Sequence, residues 1–244
     1  WSFTGAHLEA ARDINPHSPT GLARLARDHG LRSIECGPLP FQQKTRAELD
    51  SQVAALAADH LAIVLDTSSA DLATDTTPLC QTIETAHQVG ARVVRTTISN
   101  LLEGDRSRYG LVGWKEHLQS LVEPFKKVME IAENYDISVA IENHQDICSW
   151  ELLWLQEQVG NPLLGVTMDC GNALAVGEDP LAFARRVAPI LKHVHIKDYT
   201  VHRTASGYRL KRCPIGDGVV DWPSLFAFFD EEATTALCCI ELGA

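Results

Sequence analysis

Four short apolar runs in the second half of the chain each deliver one metal-competent side chain: Val139-Ala140-Ile141-Glu142, Leu163 through Met168-Asp169, Val194-His195-Ile196 and Cys239-Ile240-Glu241. Each reads as a buried strand with a hard or borderline ligand at its end. A sheet that gathers Glu142, Asp169, His195 and Glu241 at one edge must run those strands in parallel, because antiparallel neighbours would send alternate ligands to opposite ends. Few folds meet that demand.

The rest of the chain alternates strand and helix patterns. Leu31–Cys36, Leu61–Asp66 and Arg92–Thr97 read as further strands, and Trp1-Ser2-Phe3 as the stub of a first one, which makes eight. Trp114, Leu118, Leu121, Val122, Phe125, Val128, Met129 and Ala132 form one apolar stripe at helical spacing, with Pro124 inside it as an expected kink. Val53, Leu56, Ala57 and His60 mark a shorter helix, and Asp221-Trp222-Pro223 a helix start. Parallel strands joined by crossover helices close into a (β/α)8 barrel or stay open as a doubly wound sheet. The open sheet would want Gly-x-Gly-x-x-Gly after an early strand, and none is present. The 244 residues suit one barrel, so residues 1–244 are expected to form a single domain. The chain opens at Trp1 and closes three residues after Glu241, so both ends read as trimmed and the eighth helix is expected beyond residue 244.

Composition removes several function classes. A net charge of −11 disfavours a nucleic-acid partner, and no apolar run approaches the ~18–20 residues of a membrane span. Seven scattered cysteines form no Cys-x-x-Cys pair, which fits a reduced cytoplasm.

Three carboxylates converging without a cation would repel one another. One divalent ion resolves the conflict, and oxygen-rich ligation with a single imidazole suits manganese, with magnesium or cobalt as alternatives. Each residue alone has a plainer reading: Asp169 as a turn former, His195 as a core histidine, Glu142 as half of an ion pair. The four together favour the metal.

The motifs Ile141-Glu142-Asn143-His144, Met168-Asp169-Cys170-Gly171-Asn172, Val194-His195-Ile196-Lys197-Asp198 and Pro214-Ile215-Gly216-Asp217-Gly218-Val219-Val220-Asp221-Trp222 resemble the xylose isomerase-like TIM barrel superfamily. More narrowly, they are similar to its sugar phosphate isomerase/epimerase branch. The resemblance implies a metal held by Glu142, Asp169, His195 and Glu241, with Glu142 and Glu241 doubling as an acid–base pair. A metal chelated by a carbonyl and its neighbouring hydroxyl acidifies the C–H between them, and the glutamates on either side could remove and return that proton through an enediolate. The reaction would be an epimerisation or aldose–ketose isomerisation of a small keto sugar, sugar acid or sugar phosphate. Ketohexose epimerases of the family commonly carry a histidine where this chain has Asn172, which weakens that narrower reading.

Secondary candidates for substrate contact are His144, Lys197, Asn172 and Glu35, each with a structural alternative: a helix cap for His144, salt bridges for Lys197 and Glu35. His193 reads as structural. The segment Tyr199–Pro214 carries His202, Arg203, Arg209, Lys211 and Arg212, and reads as a solvated loop or, through Arg203, as a recognition element for an anionic substrate. The same chemistry would serve a decarboxylase or a lyase/dehydratase acting on a 3-oxo sugar acid. A DNA-repair nuclease and a non-catalytic scaffold are weaker rivals, and a homo-oligomer is what the resemblance implies.

Overall fold

The computed structural model describes residue 15 and residues 18–101, 105–232 and 236–241. In chain order the elements are α1 (Pro19–Asp28), β1 (Ser33–Cys36), α2 (Leu39–Gln42), α3 (Arg46–Ala58), β2 (Ala62–Ser68), α4 (Thr77–Val89), β3 (Val93–Thr97), α5 (Gly110–Tyr135), β4 (Ser138–Glu142), α6 (Ser149–Val159), β5 (Leu164–Asp169), α7 (Pro180–Val187), β6 (Leu191–Ile196), β7 (Asp198–Thr204), β8 (Gly207–Cys213), α8 (Trp222–Glu232) and β9 (Leu237–Ile240). Seven strands form one parallel sheet in the order β1-β2-β3-β4-β5-β6-β9, and β1 approaches β9 across the remaining gap. The architecture is that of a nearly closed β/α barrel. The expected strand at Trp1–Phe3 lies outside the described residues.

Local signals start and stop the helices where the sheet needs them. Ser18 caps α1 by accepting from the Gly21 N–H, Thr45 and Glu48 form a reciprocal capping box on α3, and Asp179 caps α7 ahead of Pro180. The expected stripe is the buried face of α5, which continues through Pro124 as a single 26-residue helix. His60 falls just past α3 instead of inside it, in a left-handed conformation with φ 55°. None of the helices with described residues is long and apolar enough to cross a membrane.

Side-chain alternation along the strands separates two environments. Ile34, Leu65, Val94, Val139, Ile141, Val166, Met168, Val194 and Ile196 belong to the hydrophobic core, together with helix residues such as Leu121, Phe125, Leu155 and Phe183. The opposite parity turns Glu35, Arg95, Glu142, Asp169, His193 and His195 toward one another in the barrel interior. Apolar packing therefore holds the barrel from outside, while its interior is charged.

Between β6 and α8 the structure departs from expectation. Most of the segment Tyr199–Pro214, expected as a solvated loop, lies in an antiparallel hairpin of β7 and β8, with Asp198 opposite Cys213 and Thr204 opposite Gly207. Period-two alternation of Tyr199, Val201 and Arg203 was hidden by the density of basic residues.

Candidate functional site

Glu142, Asp169, His195 and Glu241 each offer an atom within 4.8 Å of the others, at the C-terminal ends of β4, β5, β6 and β9. Parallel register makes this possible, since Asp169 lies directly opposite His195 and Ile196 opposite Ile240. The first three are sealed from solvent, and Glu241 is partly exposed. One atom of each has no aligned hydrogen-bond partner among the described residues: Glu142 Oε2, Asp169 Oδ2, His195 Nδ1 and Glu241 Oε2. Each is met by ion contacts alone, with Arg95, Lys197 or another member of the set. Three carboxylate oxygens and an imidazole nitrogen converging with spare lone pairs fit a hard divalent cation.

A second set of contacts orients these ligands. His195 turns Nε2 to Glu35, at 3.0 and 3.1 Å from its two oxygens, and leaves Nδ1 facing Glu241 Oε2 at 3.2 Å. His193 Nε2 lies 2.8 Å from Glu35 Oε2. Arg95 Nε is 3.2 Å from both Glu35 Oε1 and Glu142 Oε2, so one guanidinium joins the two carboxylates. The Asn143 side chain clamps the backbone of Asp169, accepting from its N–H at 2.7 Å and donating to its carbonyl at 3.0 Å. Lys197 Nζ stands 2.6 Å from Asp169 Oδ2 and 2.7 Å from Glu241 Oε2, as ion contacts. The lysine and a divalent ion thus compete for the same oxygens.

The loop after β8 is anchored from beneath. Asp198, buried, accepts from the backbone N–H groups of Gly216, Gly218 and Val220 and from Trp222 Nε1. A Cβ on Gly218 would strike the Asp198 carboxylate, and one on Gly171 would strike the Tyr199 ring. The Tyr199 hydroxyl donates to Asn172 Oδ1 at 3.3 Å, and the Asn172 amide reaches Glu142 Oε1 at 3.5 Å.

These contacts split the carboxylates electrostatically. Burial pushes Glu142 up, but Arg95 and His195 outweigh it and hold its pKa at about 2. Burial dominates at Asp169 and lifts it to about 6 against the pull of Lys197. Glu241 is held low, burial being overcome by His195 and Lys197. His195 is driven well above its usual value despite burial, because Glu35 and Glu142 flank it.

The expected ligands converge. Asn172 and Lys197 also reach the cluster, Lys197 in the salt-bridging role. His144 is half-buried and lines a cavity beside Arg95. Glu35 takes its salt-bridging alternative: it lies buried behind His195 and pairs with Arg95, His193 and His195. Arg203 sits exposed opposite Tyr208 near the hairpin tip and forms no ion pair among the described residues. Arg95 and Asn143 escaped sequence reading, although an arginine inside Val93-Val94-Arg95-Thr96-Thr97 at interior parity was a legible signal.

The family profile described as xylose isomerase-like TIM barrel matches residues 23–243. An uncharacterised protein, YihM, of Escherichia coli K12 is 24% identical over 228 residues, covering 89% of this chain and 66% of that protein. A 3-oxo-isoapionate decarboxylase of Pectobacterium atrosepticum is 27% identical over 95 residues, or 38% of this chain and 34% of that enzyme. The chain thus spans just under two thirds of the first relative and about a third of the second in the aligned stretches. The crystal structure of the 3-keto-D-glucoside 4-epimerase YcjR of E. coli superposes with a TM-score of 0.75 at 10% identity, covering 99% of this chain and 90% of that one.

Proposed function

The chain belongs to the xylose isomerase-like TIM barrel family, and from that premise we propose that it is a divalent-metal-dependent isomerase or epimerase of a small keto sugar. The observation behind this reading is the set of four buried ligand atoms, one from each of Glu142, Asp169, His195 and Glu241, that lack aligned partners. These residues would hold one ion, manganese by ligand hardness, with magnesium or cobalt as alternatives. When bound, the ion would supply Lewis-acid polarisation of a carbonyl and its adjacent hydroxyl.

The chain's own groups supply the proton chemistry. Glu142 is kept ionised by Arg95 and His195, so a carboxylate oxygen is available to accept a proton from the carbon next to the carbonyl. Glu241, held ionised at rest and partly exposed beside Lys197, is the partner that passes a proton drawn from solvent to the other face of the carbon. Lys197 can shift its ammonium from Asp169 to a substrate oxygen once the carboxylates have another cation. Asn172 and Tyr199 fix the Glu142 side of the site.

A second reading, decarboxylation or lysis of a 3-oxo sugar acid, is supported by the similarity to the Pectobacterium decarboxylase. It uses the same carboxylates but loses CO₂ or a β-substituent in place of returning the proton.

The test is metal content by mass spectrometry on wild type and Asp169→Ala, followed by incubation of the metal-loaded protein with keto sugars in D₂O. About one manganese, magnesium or cobalt per chain, lost in the variant, with deuterium entering the retained carbon, is the expected outcome. No metal uptake would sink the reading. Release of CO₂ from a keto acid would move it to the second one.

A further inference from the structure

Beside the ligand cluster, at the C-terminal ends of β2, β3 and β4, lies a cavity of about 390 Å³. All eight residues lining it are polar, among them Asp66, Ser68, Arg95, Thr97, Asn100 and His144. Such side chains supply donors and acceptors for a hydroxylated ligand. Arg95 links the two spaces: it lines the cavity while its Nε stands 3.2 Å from Glu142 Oε2. A molecule held at the four ligands would extend over Arg95 into the cavity.

The charge around that path is one-sided. Among the described residues, Glu35, Asp66, Glu142, Asp169 and Glu241 face two permanent cations, Arg95 and Lys197. A divalent ion beside a neutral His195 still leaves one carboxylate in excess. Arg95 is already neutralised several times over: its Nε stands 3.2 Å from Glu35 and Glu142, and Asp66 lies 3.9 Å from its Nη2. The Asp66 side chain is 34% exposed and too far from Arg95 for a hydrogen bond, so its oxygens remain available to donors in the cavity.

We propose that this cavity seats the hydroxylated tail of an uncharged keto sugar, and that Asp66 is a specificity-determining residue that accepts hydroxyl hydrogen bonds and repels a tail ending in carboxylate or phosphate. The inference rests on the metal-dependent reading above and narrows its substrate class. It also assigns recognition of the substrate's tail to β2–β4, away from the basic hairpin.

The test uses magnesium-loaded full chain and three probes that share a keto skeleton and differ at C6: D-fructose, D-fructuronate and D-fructose 6-phosphate. Affinities are read by ligand-observed saturation-transfer NMR titration in wild type and Asp66→Asn, with metal content and circular dichroism on the same samples. Wild type is expected to favour fructose over either anion by at least about tenfold, since a like charge within a few ångströms is costly in a low-dielectric cleft. Asp66→Asn is expected to shrink that ratio severalfold, with metal content unchanged. Anions binding as well as fructose in wild type, no binding of any probe, or a folded Asp66→Asn with an unmoved ratio would each overturn it. If Asp66→Asn does not fold, the wild-type preference decides. Failure to take up metal is a different result and overturns the parent reading.

Discussion

The β7–β8 hairpin and the barrel interior that precedes it along the chain are both dense in charge, yet they treat that charge in opposite ways. On the hairpin, Arg203, Arg209 and Lys211 point into water and form no ion pair among the described residues. In the interior, Glu35, Arg95, Glu142, Asp169, His195 and Lys197 are largely withdrawn from water and each is met by an opposite charge. Exposed charges are screened and worth little, whereas buried ones interact strongly and are costly to leave alone. Charge density in the sequence therefore marks an exposed hairpin, whereas strand parity marks the residues that converge inside the barrel.

The largest break in this contrast should come from the interior glutamate itself. Glu142→Gln keeps the shape but removes the carboxylate that the proposed proton transfer needs. Deuterium exchange into a keto sugar substrate is expected to fall by about 10²–10⁴-fold, the usual range for a general acid or base. Exchange within threefold of wild type would move the base elsewhere, with Glu241 the next to be tested.

Arg95→Leu breaks the same region through stability. It leaves Glu35 and Glu142 facing each other without the guanidinium that joins them. Unpairing buried charges typically costs about 3–5 kcal/mol, and urea unfolding of the metal-free protein should register it. A loss under about 1 kcal/mol would mean that solvent reaches these groups more freely than their burial implies.

Glu35→Gln separates orientation from ligation. Glu35 touches no proposed metal oxygen but holds His195 Nε2, so that Nδ1 faces the other ligands. Metal affinity should fall by about 10–100-fold, the usual effect of losing a carboxylate behind a ligating histidine. The variant should still bind one ion per chain at high metal concentration. An unchanged affinity would show that the β6 backbone alone fixes the ring.

How far the sequence could be read follows the same division. The parallel sheet and the ligand strands were legible because apolar runs and their terminal residues are local signals. The α5 stripe was legible for the same reason. The pairing of Glu35 with His193 and His195 was not, since it joins residues about 160 positions apart whose meeting depends on near-closure of the barrel. Arg95 is legible only through its interior parity, since the apolar members dominate the pattern of its strand. The hairpin was misread because polar alternation on both faces looks like a loop when no core covers it.

The smallest expected effect completes the contrast. Arg203→Ala combined with Arg209→Ala removes two positive charges from the exposed hairpin, so their loss should shift stability by no more than about 0.5 kcal/mol. The hairpin keeps its own anchors: the Asp198 carboxylate at its base and the Tyr208 hydroxyl donating to the Leu174 carbonyl at 3.0 Å. Metal affinity and exchange rate should match wild type at physiological ionic strength. At low salt a small decrease for anionic ligands is allowed, because long-range steering grows as screening weakens. A tenfold loss of affinity for an anionic keto sugar at physiological salt would mean that the hairpin closes over bound substrate, and the assignment of recognition to β2–β4 would have to be given up.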